Sequence, residues 1–117
     1  MTIKECYEQI GSDYEDVLGR LGKKEFVQRF ALKFLEDDNF GVLKEALEKE
    51  DAEQAFRAAH TLKGICLNLG FQKLYEVSSE LTEKLRGRTL EGSQELFLKV
   101  EEEYHKTIDA LKNVDKS

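Results

Sequence analysis

The sequence predicts an all-α fold, an antiparallel four-helix bundle with additional short N-terminal helices. Three observations carry this expectation. Proline is absent from the 117 residues, and Glu, Leu, Lys and Ala recur throughout; these side chains lose little rotamer freedom in a helix, and no proline removes a backbone donor. Apolar residues recur at steps of three and four, the stripe of a helix with one buried face. The breaks between these stretches are short, which makes successive helices antiparallel neighbours. A chain of this length is one domain's worth and buries most of a single core.

Taken in order, Gly11-Ser12 and Gly22 end two short helices, so that residues 1–22 form an N-terminal extension. Residues 23–114 form the bundle, as five longer helices starting near Lys23, Asn39, Ala52, Gln72 and Ser93. Asp37-Asp38-Asn39, Asp51, Gly70, Gly87 and Gly92-Ser93 separate them. Ser12, Asp51 and Ser93 are the residue types that cap a helix N-terminus, and Gly70 and Gly87 suit C-terminal positions with positive φ. The apolar stripes read Phe26, Phe30 and Phe34; Leu43 and Leu47; Ala55, Ala59, Leu62, Cys66 and Leu69; Leu74, Val77, Leu81 and Leu85; and Phe97, Val100, Tyr104, Ile108 and Leu111. All are assigned to the core.

The net charge of −6, with 36% charged residues, argues against nucleic acid, which needs a basic face, and favours a monomer. No apolar run approaches the ~18 residues of a membrane span, and the opening MTIKECYEQI lacks the apolar centre of a secretory signal. The two cysteines, Cys6 and Cys66, are far apart and unpaired in pattern, so they read as reduced thiols in a cytoplasmic protein. No His/Cys cluster has metal-ligand spacing, and no glycine-rich loop follows a strand to cradle a nucleotide. His105, beside Glu101 and Asp109 on a polar face, reads as a solvated side chain.

The informative stretch is Ala58-Ala59-His60-Thr61-Leu62-Lys63-Gly64. His60 lies off the buried stripe of its helix, toward solvent, with Arg57, Lys63 and Gly64 one turn away on the same outer face. A neutral imidazole keeps a ring lone pair for attack on phosphorus. Lys63 is placed to offset arriving negative charge. Glycine inside an exposed helix costs ~1 kcal/mol relative to alanine, so Gly64 calls for a reason: it either clears space beside the imidazole or lets a neighbouring helix approach. Phe56 sits one turn before His60 and Leu67 two turns after it. They form either an apolar docking patch or, for Phe56, a contact with the N-terminal helices; periodicity leaves both open.

Ala59-His60-Thr61-Leu62-Lys63-Gly64, followed by Leu69-Gly70-Phe71, resembles the signature of histidine phosphotransfer (HPt) domains. That signature is a histidine, an apolar residue two on, Lys-Gly directly after, and a glycine ending the helix some ten residues past the histidine. The resemblance covers roughly Phe26 to Leu111, judged by helix order and length. It implies a four-helix bundle, phosphorylation on Nε2 of His60, and membership in a multistep phosphorelay. The implied partners are response-regulator receiver domains and a sensor or hybrid histidine kinase. The receiver would bring the aspartate and Mg²⁺; the chain itself would need no cofactor. Many family members place Gln or Glu twenty-two residues past the histidine to hydrogen-bond the ring; that position is Thr82 here. Ile65 stands where the family often has a small residue. The expected function is therefore a phosphocarrier, not an autonomous enzyme, that accepts a phosphoryl group on His60 from one receiver aspartate and passes it to another. Its alternative is a helical interaction module without phosphotransfer. The opening Met1 and the fit of length to one domain favour a free-standing carrier.

Overall fold

The computed structural model describes residues 1–115. The helices are α1 (Ile3–Gln9), α2 (Tyr14–Leu21), α3 (Lys24–Lys33), α4 (Asn39–Glu48), α5 (Ala52–Leu69), α6 (Gln72–Leu85) and α7 (Ser93–Lys112), with a 3-10 turn, Phe34–Glu36, continuing α3.

Helix starts follow local chemistry. Thr2 and Glu5 cap α1 reciprocally. Asp51 caps α5, its Oδ1 accepting the Gln54 N–H at 3.1 Å. Two expected caps shift by one residue. Asp13 rather than Ser12 caps α2, while the Ser12 hydroxyl accepts the Gln72 N–H instead. Ser93 is the first residue of α7, not its cap; its hydroxyl donates to the Leu90 carbonyl and Gly92 takes the cap position. Gly70 ends α5 at φ +72°, and the Phe71 N–H closes back to the Cys66 carbonyl, satisfying an otherwise orphan acceptor. Gly87 has no such role: the left-handed residue after α6 is Arg88, at φ +58°.

Helices α4 to α7 form the bundle. Successive pairs lie against one another, and the ring closes between α7 and α4. There Phe40 stacks on Tyr104 at 4.0 Å and on Phe97 at 5.6 Å, and Lys44 pairs with Glu101 at 3.4 Å. Leu43, Ala55, Ala59, Leu62, Cys66, Leu74, Leu81, Leu85, Val100 and Leu111 fill the interior. The N-terminal helices seal the end where α5 stops and α6 begins. The Tyr7 hydroxyl donates to the Leu69 carbonyl at 2.6 Å, its ring meets Phe71 at 5.7 Å, and Arg20 donates to the Asn68 carbonyl.

One stripe is corrected. Phe26 and Phe30 are 36% and 41% exposed, whereas Val27, Ala31 and Phe34 face the core. A strict step of four drifts about 40° per step around a helix of 3.6 residues per turn. The 27–31–34 sequence of steps stays on one face better. The two exposed rings lean on each other at 6.3 Å under the Arg29 guanidinium, which lies 5.4 and 5.5 Å from their centroids.

Candidate functional site

Helix α5 sorts its residues cleanly. Ala55, Ala58, Ala59, Leu62 and Cys66 are buried, while Arg57, His60, Thr61 and Leu67 are exposed. His60 sits near mid-helix, where intrahelical hydrogen bonds fix the backbone and the imidazole stands free of the core. Lys63 and Gly64 are half-buried one turn further on. A Cβ built on Gly64 meets nothing within 4 Å, so close approach of a neighbouring helix does not account for this glycine. Leu67 is 53% exposed and lies on the His60 side of the helix two turns on.

Phe56 is corrected in both of its expected roles. It is only 9% exposed, so it offers little to an exposed apolar patch. Nor do the N-terminal helices cover it, since they dock around Leu69, some 20 Å along the helix at 1.5 Å per residue. Its cover comes from the segment after α6: the Arg88 guanidinium carbon lies 3.9 Å from the ring centroid and that of Arg86 5.3 Å. Its ring also lies parallel to the His60 imidazole, centroids 5.8 Å apart and planes 6° apart. Thr82 is corrected too. It is fully buried and its hydroxyl donates to the Ser78 carbonyl at 2.7 Å, so it faces the core rather than the ring.

Charge is concentrated around His60. Glu53 accepts from Arg57 at 3.0 Å and from Arg88 at 2.5 Å. Glu83 takes a two-point contact from Arg86, at 2.7 and 3.1 Å. That contact holds the Glu83 carboxyl below the usual range, with smaller contributions from Lys63 and His60. Lys63 takes part in none of the ion pairs among the described residues, whereas Arg57 is committed to Glu53. Arg86, Arg88, Glu53 and Glu83 carry no signal in the periodicity; the two arginines flank a break whose path sequence spacing does not specify.

His105 is exposed and touches Phe40 edge-on at 5.8 Å. No group of three or more His, Cys, Asp or Glu among the described residues is arranged to hold a metal ion, and no helix among them is long and apolar enough to cross a membrane.

The family model of the Hpt domain matches residues 34–114, the whole of the α4–α7 bundle, and the chain belongs to that family. Hpt domains serve histidine phosphotransfer in phosphorelays, as carrier modules rather than catalysts, and interact with receiver domains and histidine kinases. No curated protein and no solved structure matches the chain.

Proposed function

We propose that the chain is a phosphocarrier that accepts a phosphoryl group on Nε2 of His60 from one receiver-domain aspartate and passes it to another. The observation that supports this best is the conjunction on α5 of an exposed His60, a Lys63 one turn on that joins no ion pair among the described residues, and open space at Gly64. The Nε2 lone pair forms the P–N bond as the P–O bond of the aspartyl phosphate breaks. The aspartate leaves as a carboxylate, and the ring's other N–H proton is free to pass to water. Transfer of this kind proceeds through a loose transition state that needs positioning and dispersed positive charge. Lys63 supplies part of that charge. The receiver brings the aspartate and Mg²⁺, so the carrier needs no cofactor of its own. Gly64 clears the approach, and Arg57 and Leu67 border the docking face. The carrier acts as a monomer in the cytoplasm.

The test is incubation with a phosphorylated receiver domain. Label should appear on the carrier in acid-labile, base-stable linkage, as a phosphoramidate requires. It should be lost in His60→Gln and kept in His105→Gln. Equal label on His60→Gln would overturn the assignment, and binding of the receiver without any transfer would leave a protein-interaction module.

A further inference from the structure

Outward-facing side chains near the middle of a solvated helix are ordinarily free to change rotamer, and the imidazole's χ2 is broad. His60 is placed differently. Its ring lies parallel to that of Phe56, one turn back, with centroids 5.8 Å and planes 6° apart, within the offset-stacking range of aromatic pairs. Phe56 is itself held. Arg88 covers its ring at 3.9 Å. The Arg88 guanidinium is fixed from two further sides, by the Glu53 carboxylate on α5 and by the Arg86 carbonyl.

A second observation points the same way. Arg88 occupies left-handed backbone, φ +58°, although Gly87 stands next to it. Glycine adopts that conformation without steric cost and arginine does not. Backbone strain of this kind persists only where the surroundings fix it, and it clusters at functional sites. Here the strained residue is the one whose side chain closes over Phe56.

We propose that Phe56, backed by the Arg88–Glu53 pair, is a positioning residue that sets the plane of the His60 imidazole for attack on phosphorus. The inference rests on the reading of His60 as the phosphoryl acceptor. Transfer requires the ring nitrogen to lie in line with the breaking P–O bond, and misplacement by about 1 Å costs on the order of 10²-fold. A ring held against Phe56 samples fewer unproductive orientations while its edge stays exposed to the incoming receiver. The sequence Glu53, Phe56, His60 repeats on one face of α5, so the clamp is built from the same helix that carries the nucleophile.

Two variants separate positioning from mere stapling of the segment after α6. Phe56→Leu keeps an apolar side chain and removes the ring. Arg88→Gly removes the clamp but suits the local φ, so the fold is retained. Single-turnover transfer from a phosphorylated receiver should give a saturated rate about tenfold lower in both, a fraction of the full misplacement cost. The half-saturating receiver concentration should be unchanged. Phe56→Tyr should transfer at the wild-type rate. In NMR spectra of the unphosphorylated protein, the His60 ring protons should lose their aromatic shielding in Phe56→Leu and keep it in Phe56→Tyr. A wild-type saturated rate in Phe56→Leu, or an effect confined to half-saturation, would overturn the proposal. So would unchanged His60 ring shifts in Phe56→Leu. A wild-type protein that takes no phosphate on His60 would instead sink the phosphocarrier reading, while the ring shifts would still report whether Phe56 holds the imidazole.

Discussion

Around His60, the contribution of each neighbour depends on what else that neighbour already touches. Arg57 and Lys63 sit symmetrically one turn either side of the imidazole, yet Arg57 is paired with Glu53 at 3.0 Å. Lys63→Ala should therefore slow transfer more than Arg57→Ala, without lowering the melting temperature. An exposed charge interaction is worth about 0.2–1 kcal/mol, and more once a docked partner excludes water, so a slowing of a few fold is expected in single-turnover transfer. Equal effects of the two substitutions would remove Lys63's special role. Gly64 has open space where a Cβ would stand. Gly64→Ala should stabilise the protein by up to about 1 kcal/mol. Gly64→Gln should melt no lower than wild type yet transfer poorly, because its side chain would stand beside the imidazole. A destabilised Gly64→Gln, or one with normal transfer, would contradict this account. The placement of Arg57, Lys63 and Gly64 beside His60 was legible in the sequence because it follows from helical angles alone; the pairing of Arg57 with Glu53 was not read there. The environments of Phe56 and Thr82 were not: Phe56 reads as outward-facing until the segment after α6 closes over it, and Thr82, set near the ring only by the family position, turns into the core and bonds the Ser78 carbonyl of its own helix.

The helix that carries His60 is defined at both ends by single residues. At its start, Asp51 accepts the Gln54 N–H; Asp51→Ala should cost about 1 kcal/mol, as loss of a side-chain cap generally does. At its end, Gly70 combines φ +72° with a packed neighbour, since a Cβ there would lie 2.2 Å from Val17 Cγ2. Gly70→Ala carries the left-handed penalty of about 1–2 kcal/mol and also pushes α2 away, so it should destabilise more than Asp51→Ala. Urea melts of the two variants check the order; a milder Gly70→Ala would mean that α2 yields without loss. Both residues were legible because Asp and Gly have narrow uses at helix ends. Gly87 misled for the same reason. It has the residue type of a stop signal, but the left-handed turn falls on Arg88, whose side chain is tied to Glu53 and Phe56. The Phe26–Phe30 pair misled because a four-residue repeat is ambiguous over so short a helix, and Val27 and Ala31 supply a competing inward face.

At the scale of the whole molecule, the Hpt match ends short of α1–α3, yet these helices are bound into the same core. Their presence was legible from Gly11 and Gly22; their docking site was not, since it is made by hydrogen bonds to backbone carbonyl and N–H groups, which every residue of this chain has. Tyr7 reaches the Leu69 carbonyl, Ser12 the Gln72 N–H, and the N-terminal ammonium the Asn113 carbonyl. Helices this short are marginal alone, so their order derives from docking on the bundle. In return they cover Phe71, 1% exposed at the junction of α5 and α6. The two cysteines test this mutual dependence. Cys6 lies in α1 and Cys66 in α5, both fully buried. Burial pushes the Cys6 thiol up to about 11 and the Cys66 thiol higher still, so neither supplies thiolate to a labelling reagent in the folded state. If the chain opens as one cooperative unit, pulse alkylation along a urea series, read peptide by peptide in a mass spectrometer, should show Cys6 and Cys66 becoming reactive at a single midpoint coincident with loss of helix. Tyr7→Phe, which removes the donor to Leu69, should move both midpoints together to lower urea, by about 1 kcal/mol in stability. Alkylation of Cys6 at distinctly lower urea than Cys66 would show that α1–α3 open on their own, and that the bundle is the cooperative unit.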